Sequence, residues 1–199
     1  MDRSLARFRR PAAAPWFPLR RARWDRLLLA ALLVAAASAA PPARQIDYQL
    51  KAGYLFNFAK FIDWPPPPLA AGDAFRIGVL TDDGARTIIA ETLRGRVIDG
   101  HPVVVLLLAP DDDPSTCRIV FIPRSSPVTP AQFRARLPNT AVLLVGEKDG
   151  FASAGGEIGF VPRGDNLRYQ VNLAAAQRVG LKLSARLASL AEVVRPPTP

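Results

Sequence analysis

Leu50-Lys51-Ala52-Gly53-Tyr54-Leu55-Phe56-Asn57-Phe58-Ala59-Lys60-Phe61-Ile62-Asp63-Trp64-Pro65 is the stretch on which the reading of this chain turns. Five aromatic residues fall within fifteen positions, and the run ends at Trp-Pro. Gln45 to Asp63 contains no proline. Apolar residues at 52, 55, 59 and 62, and again at 54, 58 and 61, lie three and four apart, which lays two adjoining stripes along one helix. A helix apolar over more than half its circumference is sandwiched in a core or pressed on a partner. Tyr54, Phe58, Phe61 and Trp64 are therefore candidates for either role. Pro65 disfavours helical geometry at Trp64, so the helix is expected to stop there.

The charge of the chain points away from nucleic acid. Residues 1–39 carry eight arginines against Asp2 and Asp25, which leaves +3 of the total +9 for the rest. Basic and acidic side chains are interspersed along that remainder, as on an ordinary protein surface. The basic N-terminus is followed by the apolar run Leu27–Ala37 and by Ala37-Ser38-Ala39, an A-x-A site. This three-part layout predicts a secretory signal peptide over residues 1–39, cleaved near Ala39. Eleven to fourteen apolar residues are short for a membrane span. Residues 40–199 are then a single domain, with its core at about 44–195. Cys117 is the only cysteine, so an internal disulfide is excluded. Its place before Ile119-Val120-Phe121-Ile122 predicts a buried structural thiol.

After the stiff Pro65–Pro68 linker the chain alternates. Phe75–Leu80, Val103–Leu108, Arg118–Ile122 and Ala141–Val145 read as strands, the second buried on both faces. Arg96–Ile98 is a short strand or part of an interrupted one. Helices are expected over Ala85–Leu93, Thr129–Leu137, Leu173–Val179 and Ala185 to about Val194, with a short helix or turn over Lys148–Ala154. Glu157–Pro162 and Leu167–Asn172 flank a turn and read as a hairpin. The fold class is α/β: a mainly parallel sheet flanked by helices, with an antiparallel hairpin at one edge, an aromatic N-terminal helix and two C-terminal helices.

No catalytic constellation emerges. There is no GxGxxG, Walker A lysine or G-x-S-x-G. His101 is the only histidine, and one histidine makes no zinc site. Asp111-Asp112-Asp113 lacks calcium-loop spacing and reads as a solvated turn. No metal, cofactor or enzymatic activity is expected, which favours binding or regulation.

Two long stretches carry a resemblance. Lys51 to Pro65, with Asn57 and Phe58 at its centre, is similar to the N-terminal signature of the YfiR-like family of periplasmic proteins. Gln170-Val171-Asn172-Leu173 through Gly180-Leu181-Lys182-Leu183-Ser184 to Leu187 resembles the closing segment of that family, and Cys117–Ile122 its central strand. Asn57, Pro65, Asn172, Gly180 and Ser184 are carried over as motif positions with structural roles. The resemblance implies a non-enzymatic periplasmic protein that represses a membrane-bound diguanylate cyclase by binding its periplasmic sensor part. It also implies effects on cyclic-di-GMP and biofilm formation, and a homodimer. The disulfide-based redox control associated with the family is not available to a chain with one cysteine. The alternative reading is a periplasmic small-ligand module, with its pocket at the C-terminal sheet edge near Thr81–Gly84 and Ser125–Ser126.

Overall fold

The computed structural model describes residues 42–137, 140–164 and 166–194. The expected signal peptide lies outside them. The aromatic stretch forms α1 (Ala43–Phe61), which buries Tyr48, Lys51, Ala52, Leu55, Phe58 and Ala59 along one face. The helix ends at Phe61, ahead of the stop expected at Trp64. Ile62–Asp63 instead forms β1, antiparallel to β9 (Lys182–Leu183), with Ile62 opposite Leu183. The Trp64 indole N–H donates to the Ala59 carbonyl at 3.1 Å, satisfying a last-turn acceptor that the ended helix leaves open.

The main sheet contains β2 (Phe75–Leu80), β3 (Val97–Ile98), β4 (His101–Leu108), β5 (Ile119–Ile122), β6 (Leu143–Gly146), β7 (Ile158–Arg163), β8 (Asn166–Val171) and β10 (Glu192–Val193). Their order is β10-β8-β7-β6-β5-β2-β4-β3. The five parallel strands β4-β2-β5-β6-β7 follow the 2-1-3-4-5 order of doubly wound sheets, so strand order reverses between β2 and β5. The expected α/β class holds, with the antiparallel β7–β8 hairpin toward one end.

Helices α2 (Asp83–Leu93), α3 (Pro130–Ala135), α4 (Leu173–Arg178) and α5 (Ala185–Ser189) complete the fold. Thr129 and Gln132 form a capping box at the start of α3. One core joins α1 and α2 to one sheet face through Leu55, Phe58, Ile77, Ile89, Phe121 and Phe160. A smaller one packs Phe133, Leu137, Phe151 and Cys117 on the other. The Phe151 ring fits there because Gly146 and Gly156 face it. A Cβ at either would come within 2.2 or 2.1 Å of ring atoms.

Two expectations, for β4 and the last helix, are corrected, and two open alternatives, for Arg96–Ile98 and Lys148–Ala154, are decided. β4 is not buried on both faces: Val104 and Leu107 are 38% and 46% exposed, because the strand lies near the sheet edge with only the two-residue β3 beyond it. Arg96–Ile98 is no continuation of β4. It turns back through Asp99 and Gly100, whose φ values of 50° and 86° suit a two-residue hairpin loop. The last helix ends at Ser189 rather than near Val194. Glu192–Val193 pairs parallel with β8, and Arg163 holds Glu192 at 2.6 Å. Lys148–Ala154 forms turns.

Candidate functional site

The reversal of strand order opens a crevice at the C-terminal ends of β2 and β5, and the N-terminal half of α1 lies across it. Asp82 follows β2 and caps α2 by accepting from the Ala85 N–H at 2.9 Å. The same carboxylate receives the Arg44 guanidinium at 2.8 Å and the Ser125 hydroxyl at 3.0 Å. Glu147, after β6, accepts from the Tyr48 hydroxyl at 3.1 Å and from the Arg124 backbone N–H at 2.8 Å. Lys51 binds Glu147 directly and also Asp47 at 2.5 Å. Burial, then the negative charges of Glu147 and Asp82, push the Tyr48 phenol well above its ordinary range. A cavity of about 500 Å³ lies over the Glu147 side of this network, lined by Arg44, Asp47, Tyr48, Lys51, Arg124 and Glu147 among others.

The structure thus brings two of the expected ligand loops together, at Asp82 and Ser125. The Ser125 hydroxyl joins them directly, and Arg44 of α1 pairs with the same Asp82 carboxylate, a contact the sequence does not reveal. Lys51 and Glu147 were also missed. Their one signal was a lysine at helical spacing inside an otherwise apolar face. Ser125 faces a carboxylate already engaged by arginine, and His101 lies at the opposite end of the sheet, its Nδ1 2.9 Å from the Asp73 carbonyl. This arrangement holds α1 in place at the C-terminal edge of the sheet. Among the described residues no cluster of three His, Cys, Asp or Glu is placed to hold a metal.

The aromatic candidates divide. Phe58 is in the core, 5.1 Å from Tyr169 and 5.9 Å from Phe160 between ring centroids. Tyr54 packs on the same rings and donates its hydroxyl to the Leu167 carbonyl at 3.1 Å. Tyr54 and Phe61 are half-buried and line a groove of about 320 Å³ with Asn57, Arg168, Arg186 and Leu190. The Arg186 guanidinium lies over the Phe61 ring at 5.3 Å. Trp64 sits apart, edge-on to Phe75 at 5.6 Å, with Arg118 over its ring.

Of the remaining motif residues, Pro65, Gly180 and Ser184 join the two motif stretches, and Asn172 braces the second from within. Gly180, at φ 77°, lies so close to Pro65 that a Cβ would stand 3.4 Å from the proline ring. The Ser184 backbone N–H donates to the Phe61 carbonyl at 3.0 Å, and its hydroxyl caps α5. Asn172 is buried; its carbonyl oxygen caps α4 at Ala175 and its amide donates to the Ala152 carbonyl, both at 2.9 Å. Asn57 is exposed and lines the groove.

Among the described residues no helix is long and apolar enough to cross a membrane. No curated protein matches the chain. The family described as YfiR/HmsC-like matches residues 48–192, a span that runs from Tyr48 over the crevice to Glu192 in the last strand. The chain belongs to the YfiR/HmsC-like family.

Proposed function

We propose that this protein is a periplasmic, non-enzymatic regulator that represses a membrane-bound diguanylate cyclase by binding its periplasmic sensor part. The observation that carries this reading is the family match across both signatures, which meet in space where β1 pairs with β9. Residues 1–39 are its cleaved export signal and residues 40–199 the working domain.

The groove beside Phe61 is the docking surface in this reading. Its half-buried aromatic floor, the 61% exposed Leu190 and the guanidinium groups of Arg168 and Arg186 suit an apolar segment bearing carboxylates. Co-purification with membrane diguanylate cyclases from the native host, with cyclic-di-GMP measured in a deletion strain, tests it. Deletion should raise cyclic-di-GMP, and Arg186→Glu should release the cyclase without unfolding the protein. Unchanged cyclic-di-GMP together with no bound cyclase would refute the reading.

A second reading, a small-ligand module, draws support from the roughly 500 Å³ cavity between α1 and the C-terminal sheet edge beside Arg124 and Glu147, although neither Thr81–Gly84 nor Ser125–Ser126 lines it. A ligand at 100 times its dissociation constant stabilises by about 2.7 kcal/mol. A thermal-shift screen of periplasmic metabolites that shows no stabilisation would remove that support.

A further inference from the structure

Away from the crevice, at the end of the sheet where the parallel strands begin, positive charge gathers in a hollow. A cavity of about 690 Å³ is lined there by Arg76 of β2, Arg118 just ahead of β5 and Arg178 at the end of α4. Asp73 is the one carboxylate on its lining, so the cavity carries a net charge of +2. Arg76 and Arg118 stand side by side. The Arg118 N–H donates to the Arg76 carbonyl at 2.9 Å, one step before Ile77 pairs with Ile119. Neighbouring strands lie about 4.8 Å apart, and like charges at facing positions cost stability.

No carboxylate among the described residues offsets that repulsion. Asp73 accepts from the Ala70 N–H at 3.1 Å and forms no ion pair. Asp113 is engaged by the Ser115 N–H and hydroxyl, at 2.9 and 2.8 Å. Glu157 shares a smaller cavity of about 180 Å³ with Arg178, but it is held by Arg134 at 2.8 Å and by the Leu144 N–H at 2.7 Å. Arg118 is fixed in place, donating to the Pro67 carbonyl at 3.0 Å with its guanidinium over the Trp64 ring. Arg76 and Arg178 make no side-chain hydrogen bond or ion pair among the described residues.

We propose that this cavity binds the phosphate monoester group of a small soluble molecule. Each guanidinium offers paired N–H donors that match phosphate oxygens. A phosphate monoester carries a charge of about −1.5 to −2 at neutral pH, which balances the lining, whereas one carboxylate would leave it positive. A hollow of one sign also concentrates the field that draws such an anion in. The volume falls in the range of about 300–1,000 Å³ usual for small-molecule pockets, far more than a phosphate ion fills. The phosphate therefore arrives on a larger body, which Pro65–Pro67, Leu69 and Val179 of the same lining would contact.

Isothermal titration calorimetry of the purified chain with ribose 5-phosphate and with inorganic phosphate, at constant ionic strength, tests this. Ribose 5-phosphate should bind once per chain and more tightly than inorganic phosphate. Arg76→Gln and Arg178→Gln should each weaken it at least tenfold. Both side chains are exposed, so the melting temperature without ligand should hold. Arg94→Gln removes an arginine that is 73% exposed just past α2, and it should leave the affinity unchanged. No saturable uptake of ribose 5-phosphate would overturn the proposal. So would binding that Arg94→Gln weakens as much as Arg76→Gln does, since that is a response to overall charge. Succinate bound as tightly as ribose 5-phosphate would overturn the choice of phosphate. Sedimentation with phosphatidic acid vesicles, lost in Arg76→Gln and without uptake of ribose 5-phosphate, would overturn the soluble ligand and place the group on a lipid.

Discussion

Lys51 on α1 and Glu147 after β6 form an ion pair buried on both sides, with side chains 7% and 8% exposed. The contact spans 96 residues of sequence and pins the helix to the C-terminal edge of the sheet. Removing one partner of a buried pair leaves the other charge without compensation, at a cost of about 3–5 kcal/mol. Lys51→Met should therefore destabilise by about 3 kcal/mol in urea unfolding. The double variant Lys51→Met/Glu147→Gln should lose much less than the sum of the two single changes. Additive losses would show that the two side chains do not act as a pair.

Phe58 and Phe61 lie three residues apart on α1 and should respond differently. Phe58 is 1% exposed among aromatic rings, so Phe58→Ser should cost about 3–5 kcal/mol. Phe61 is half-buried at the groove, so Phe61→Ser should cost about 1 kcal/mol and chiefly weaken partner binding. Denaturant midpoints for both, set beside a pull-down with the Phe61 variant, provide the comparison.

Two glycines should give opposite signs on conversion to alanine. Gly53 is an exposed position within α1, and a methyl group added there would meet no atom within 4 Å, so Gly53→Ala should stabilise by about 0.5–1 kcal/mol. Gly180, at φ 77° against Pro65, should lose about 1–2 kcal/mol on the same change. Melting temperatures moving in the same direction would contradict this.

Cys117 is 2% exposed, and burial pushes its thiol above the ordinary cysteine range despite the nearby Arg76. The reactive species is the thiolate, so a raised pKa and lack of access both slow alkylation. In native buffer at about pH 8 the thiol should resist a maleimide reagent for hours, and label within minutes once denaturant is added. Rapid native labelling, followed by mass spectrometry, would show that this region opens.

Much of the local structure was legible in the residues. The spacing of apolar positions predicts α1, continuous apolar runs predict β2, β5 and β6, and Thr129, Asn172 and Ser184 each cap the helix expected of them. These features depend on neighbours a few residues away. The burial expected of β4 fails because an apolar run looks alike in the middle of a sheet and near its edge. Its exposure follows from where the chain places β3, a nonlocal outcome.

Periodicity, turn residues and motif spacing are properties of the chain alone, and they suffice for the α/β class, the aromatic helix and the family. Which aromatic residue is core and which lines a groove depends on the fold, since Phe58 and Phe61 differ in what lies across from them. Likewise, Lys51 and Glu147 are charged residues in a sequence, and a buried pair only when a helix crosses the end of a strand. The two family signatures are far apart in the chain. The β1–β9 pairing and the Pro65–Gly180 contact make them one structure, because backbone hydrogen bonding and close packing are satisfied between segments that no local pattern connects.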